Sequence, residues 1–203
     1  MKRRVFRSIG GMLFLFLTAC AGPGERLPVT LSYLDGTPLA SVPSASRKVV
    51  VFPLEDKRKD PQVIGQRTHI FGQVDTFESA TPTREKITQL LVDSLRKQGW
   101  DAHLAAPGSQ PQEITNERVV TGTLRTLWAE ATSHLGYTQI EAHFALYLEA
   151  LNPTTGGRVT MRVDDQSTPK VVFFRARSFQ ETLNDLISSG LKGVRLTPSS
   201  AAS

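Results

Sequence analysis

The sequence predicts an α+β fold: a two-layer sandwich in which two helices pack on one face of a mixed, mostly antiparallel sheet. Three observations predict it. Two segments place apolar residues at helical spacing: Ile87, Leu90, Leu91 and Leu95, then Leu183, Leu186, Ile187, Leu191 and Val194. The stretches Arg118 to Ala131 and Tyr137 to Leu151 alternate in strand period. The order strand, helix, strand, antiparallel strands, helix lets both helices share one sheet. A chain of 203 residues suits one domain, and 15 glycines with 12 prolines exclude a coiled coil.

The first 19 residues read as a leader, to be set aside before fold reasoning. Lys2, Arg3, Arg4 and Arg7 are basic, and the apolar run from Ile9 to Ala19 is too short to span a bilayer. The run ends in Leu17-Thr18-Ala19-Cys20. Small residues ahead of a cleavage point suit a signal peptidase, and the cysteine after them resembles a bacterial lipobox. That resemblance implies lipid attachment at Cys20, the only cysteine in the chain. Several acyl chains anchor durably where one does not. The next residue is Ala21, not Asp. By the sorting habits of similar lipoproteins, this implies the outer membrane, periplasmic face. Removing the leader takes four of the 24 basic residues, leaving 20 against 19 acidic ones, a net charge of +1. So small an excess argues against a nucleic-acid partner.

Residues 20–46 contain Pro23, Pro28, Pro38 and Pro43 and read as a tether, with a possible edge strand at Val29–Leu34. The folded body is expected over 47–196, and the small polar tail 197–203 to be disordered. Lys48–Leu54 reads as a buried strand. Glu55 to Pro61, with six charges in seven residues, reads as a solvated loop. Gln62–Ser79 shows no clean period and reads as a long loop, with a short hairpin near Thr68–Val74. Thr81 as N-cap and Pro82 at the first helical position open the first helix, and Gly99 stops it. That helix joins two strands, Lys48–Leu54 and Asp101–Leu104, which should be parallel. After the two long strands come the turn Asn152–Gly157, a hairpin partner Arg158–Val163 and a fourth strand Val171–Ala176. Ser178-Phe-Gln-Glu181 reads as a capping box opening the last helix. Gly190 lets that helix approach the sheet closely. The other sheet face is expected to be solvated or covered by the N-terminal segment.

Little of this suggests chemistry. His69, His103, His134 and His143 show no metal-ligand spacing. Glu141 and His143 share a strand face, and two ligands are too few for a closed zinc site. Asp164-Asp165 reads as a strand end or a weak cation site. No nucleophile elbow, Walker loop or dinucleotide fingerprint occurs, so no catalytic residue, metal or cofactor is assigned.

The strand Val49–Leu54, Asp56 and Arg58, Ile64-Gly65, the helix Ile87–Leu95 and the stop Gly99-Trp100 form a pattern. It resembles the YajG-like bacterial lipoproteins over about residues 47–195. The resemblance implies a body like the TolB N-terminal and LpoB-type modules. Asp56 and Arg58 are expected to pair with each other or to satisfy loop backbone. The sharper alternative is a recognition loop of Asp56, Lys57, Arg58 and Lys59 with Arg67, facing an anionic partner.

The expected function is a lipid-anchored, non-catalytic module that binds another envelope protein or peptidoglycan. The alternatives are an accessory lipoprotein of an envelope transport or export machine, and a hydrolase acting on envelope material.

Overall fold

The computed structural model describes residues 24–33 and 48–196. The leader, Cys20, residues 34–47 and the tail 197–203 lie outside the described residues.

One ten-stranded sheet is covered on one face by two helices. Its spine is the long hairpin of β7 (Arg118–His134) and β8 (Tyr137–Leu151), and β9 (Arg158–Ser167) pairs with β8. The other edge of β7 takes three parallel partners in turn. β2 (Lys48–Val51) lies beside Arg118–Val120, β3 (Glu55–Asp56) beside Thr123–Leu124, and β4 (Val63–Thr68) beside Ala129–Thr132. Residues 48–68 thus follow β7 along its length and leave it only between β3 and β4. β5 (Val74–Ser79) pairs antiparallel with β4, and β1 (Arg26–Val29) runs parallel to β5 at the edge. β6 (Asp101–Leu104) lies parallel to β2, as the helical connection predicts.

The helix α1 (Thr83–Lys97) buries Ile87, Leu90, Leu91 and Leu95 and adds Val92. It begins two residues after Thr81. Pro82 holds an extended ψ of 117° at the N-cap, and the Lys86 amide donates to its carbonyl at 3.0 Å. At the other end Gly99 takes φ +85°. Its amide bonds the Arg96 carbonyl, and the Trp100 amide reaches back to Leu95. These two bonds satisfy carbonyls the helix leaves open.

The short hairpin expected near Thr68–Val74 is present, but the rest of Gln62–Ser79 is not loop. The whole segment is the β4–β5 hairpin, with a turn at residues 69–73. Val171–Ala176 is not a strand either. Only β10 (Lys170–Val171) pairs, with β8, and α2 (Ala176–Lys192) starts from Arg175 with no side-chain cap. Ser178 lies inside the first turn, so no capping box forms there. Phe174 packs beside Phe77, whose ring stacks on Phe179 at 3.9 Å, and this aromatic cluster outweighs the cap. The rest of α2 buries Leu183, Leu186, Ile187 and Leu191 as predicted. A Cβ at Gly190 would come within 2.7 Å of Val163 and 2.9 Å of Phe144, so the glycine permits the close approach.

The described part of the N-terminal segment, residues 24–33, read as tether, belongs instead to the folded body, pairing at the sheet edge and entering the core on the helix side. Leu31 enters the core beneath the helices. The Ser32 amide donates to Asn184 Oδ1 of α2 at 2.9 Å. The open face carries a small apolar group of Val50, Phe52 and Val119, with Ile114 against it.

Candidate functional site

Asp56 and Arg58 turn inward, so the charged run is not a fully solvated loop. Their side chains are only 9% and 6% exposed. Arg58 meets both oxygens of Asp56, at 3.0 Å from Nε and 2.8 Å from Nη2. It also donates to the carbonyls of Pro61 and Val63. A bidentate pair of this kind is among the stronger charge-assisted contacts. Here it holds the excursion between β3 and β4 in shape. Lys57 pairs with Glu55 at the surface, while Lys59 is exposed. Arg67 does not join them. It sits about 13 Å farther along β4 than Val63.

The excursion leaves a cleft of about 560 Å³ beside β7, rimmed by Lys57, Lys59, Asp60, Arg125, Thr126 and Trp128. The ladder on that side of β7 stops at the Lys57 amide, 3.0 Å from the Leu124 carbonyl, and resumes at Ala129. A bulge falls at the same place, between Leu124 and Thr126. Bulges re-aim side chains, and Arg125 at this one is exposed. A half-buried tryptophan beside an interrupted strand edge and three cations is suited to binding, since Trp and Arg anchor interfaces.

Arg67 belongs to a second cluster, which the sequence reading did not find. Asp75, on β5, is 6% exposed. Its carboxylate lies 2.6 Å from His69 Nε2 and accepts the Glu25 amide at 3.1 Å. Burial pushes its pKa up, but the His69 and Glu25 bonds and the nearby positive charge of His69 and Arg67 outweigh that and hold it below the usual value. Arg67 Nε donates to Ser133 Oγ at 3.2 Å, and its guanidinium lies 4.1 Å from the Phe174 ring centre. Burial lowers its pKa, with Asp75 acting in the opposite direction. Together Asp75 and Arg67 tie the β4–β5 turn, the β7–β8 tip, the start of α2 and the N-terminal segment into one end of the sheet.

The register shows how these turns align. Val74 pairs with Thr68, Thr68 with Thr132, Thr132 with Gln139 and Gln139 with Lys170, one row across five strands. Gly24 sits against the Val74 carbonyl at the end of that row. Beyond it project Ile70 and Phe71 (50% and 97% exposed), Leu135 (87%), and Val172 and Phe173 (69% and 80%). The signal for this end was present in the sequence as apolar residues inside turn-forming stretches, Ile70-Phe71-Gly72 and Leu135-Gly136.

The remaining histidines form two-member arrangements. His143 Nε2 lies 2.8 Å from Asp164 on β9, so its partner is not Glu141. Bonds from His143 and Arg162 lower the Asp164 pKa, and β9 continues past Asp165 to Ser167. His103 meets Glu117 at 3.2 Å. Among the described residues no three His, Cys, Asp or Glu side chains gather as metal ligands would.

No family model and no curated protein sequence matches the chain. Solved structures do. A Xanthomonas campestris protein of the DUF330 family aligns over 83% of this chain and 91% of its own, with 11% identity and a TM-score of 0.52. The two share a fold. The PelC dodecamer of Paraburkholderia phytofirmans aligns over 75% of this chain and 96% of its own, with 14% identity and a TM-score of 0.39, too remote to carry an argument.

Proposed function

We propose that the chain is a lipid-anchored, non-catalytic binding module of the bacterial envelope, held at Cys20 on the periplasmic face of the outer membrane. The YajG-like pattern suggests the same address. The observation that carries the reading is where the chain joins the sheet. Gly24 packs on Val74 only four residues after Cys20, so an acylated cysteine would lie beside the folded body. What makes the leader an anchor in this reading is Leu17-Thr18-Ala19-Cys20, with the sole cysteine of the chain at the cleavage point.

The binding surface in this reading is the cleft at Lys57, Lys59, Arg125 and Trp128. Its exposed Lys59 and Arg125, which outnumber Asp60 on the rim, suit an acidic partner, either an envelope protein or peptidoglycan. In the cell, Cys20→Ala should move the protein out of the membrane fraction or leave an uncleaved precursor. Acyl-labelled mature protein persisting in that variant would sink the anchor. Crosslinking in intact envelopes should lose its main partner when Lys59 and Arg125 become Glu and Trp128 becomes Ala. An unchanged partner list would remove the cleft from the account.

A further inference from the structure

We infer that the end of the sheet formed by the three apolar turns is a membrane-contact surface, whose tips enter the headgroup region of the bilayer that holds Cys20. The inference rests on the anchored reading for which membrane is met, and its geometry stands apart from that reading.

The first support is segregation. Among the described residues, eight large apolar side chains are prominently exposed, and six of them are Ile70, Phe71, Val74, Leu135, Val172 and Phe173. All six lie at or beyond the row that joins Val74 to Lys170. Single exposed apolar residues need no explanation, whereas a gathered set marks an interaction site.

The second is charge. The three turn stretches 67–74, 132–139 and 170–177 contain Arg67, Lys170, Arg175 and Arg177 and no Asp or Glu; against these cations the end has one exposed carboxylate, Glu25 beside Gly24, and the buried Asp75. Lys170 and Arg175 flank the Val172-Phe173 tip and are exposed. Basic residues behind apolar tips match an anionic lipid surface, which attracts Lys and Arg over short range. Tyr137, with Lys170 Nζ 5.3 Å from its ring centre and His134 stacked at 4.7 Å, has the amphipathic character favoured at headgroup level.

The third is support. Asp75 and Arg67 bond the turns from beneath, so the exposed tips project from a hydrogen-bonded base. Apolar tips on three different turns suit a deformable lipid layer, which can take up each of them, better than the close-packed core of a protein interface.

The fourth is reach. Four residues span at most about 14 Å, so an acylated Cys20 holds Gly24, and with it this end, against the bilayer. The opposite end of the sheet is then directed away from it.

The test reads depth. The full chain is reconstituted in vesicles of phosphatidylethanolamine and phosphatidylglycerol, with a polarity-sensitive dye on Phe71→Cys, Leu135→Cys, Phe173→Cys or, at the far end, Thr155→Cys. All four positions are exposed, so folding should survive. Nitroxides on the lipid acyl chains should quench the three tip labels several-fold more than the label at 155, with a blue-shifted emission. Tip labels that read water, as at 155, would overturn the inference. So would tip labels shielded from aqueous iodide but untouched by the lipid nitroxides, which would indicate a protein cover. The mass of the Cys20 peptide reports the anchor separately. If Cys20 is bare, the anchored reading fails, and the same labels in a Cys20→Ser chain mixed with vesicles still decide the depth.

Discussion

The two ends of the sheet solve the same problem in opposite ways. At one end the turns are polar and bond to themselves. In the β8–β9 turn the Thr154 amide donates to Asn152 Oδ1 and the Gly157 amide to Thr155 Oγ1. On the loop leading back to β7, Gln110 and Glu113 close a reciprocal cap. At the other end the turn residues are apolar and exposed, and the polar groups that hold them lie underneath, at Asp75, Arg67, Ser133 and Thr138. Where side chains stabilise their own turn, the turn can only be solvated. Where a buried layer takes over that task, the tip residues are released for contact with something else.

The largest effect that would test this division is at Asp75. Asp75→Ala removes the acceptor for His69 and for the Glu25 amide together. Stability should fall by about 1–2 kcal/mol in urea unfolding, because two part-buried donors lose a charged acceptor. A loss below about 0.5 kcal/mol would mean the apolar end does not depend on its buried layer. The pH dependence has a definite sign. The folded pKa of Asp75 is depressed, so its contribution is complete above the ordinary value of 3.8 and disappears as pH falls through the folded value. The stability gap between wild type and Asp75→Asn should therefore close on acidification. A gap that widens in acid would reverse the assignment.

A loss no larger than this is expected at Arg67. Arg67→Ala gives up the Ser133 bond and the stacking on Phe174, together about 1–2 kcal/mol. Protection from hydrogen exchange should weaken at the β7–β8 tip and the start of α2, with the Asn152–Gly157 turn unaffected. Equal weakening at both ends would show that the clamp is not local.

How much of this could be read in the sequence follows the same split. α1, α2, β7 and β8 were legible because each buries one face over enough residues to make its period clear. The parallel pairing of β2 and β6 followed from the helix between them. The turn of the β4–β5 hairpin was placed near Thr68–Val74, but the length of its strands was hidden because they mix Gly65, Gln66, Arg67 and Thr68 with few apolar residues. Gly65 is required by space: a Cβ there would fall 2.1 Å from the Ala129 carbonyl and 2.5 Å from Phe179. The run Glu55–Pro61 looked solvated by composition, but the expectation that Asp56 and Arg58 pair with each other or satisfy loop backbone holds on both counts. The Asp75 cluster was illegible because its members come together from the N-terminal segment, β4, β5, β7 and α2. Only the His69–Asp75 contact is local to the hairpin; the bonds to Glu25, Ser133 and Phe174 are long-range.

The smallest expected effect is the most discriminating. Phe71 is 97% exposed, so Phe71→Ser removes no buried area and should change stability by less than about 0.5 kcal/mol. The same holds for Leu135→Ser and Phe173→Ser, and the triple variant should melt close to wild type. Its solubility without detergent should rise, because the gathered apolar surface is gone. A fold indifferent to these three apolar side chains has no structural use for them, which leaves contact outside the molecule as their role. A triple variant that melts well below wild type would mean that the tips support the fold itself, and the contrast between the two ends would collapse.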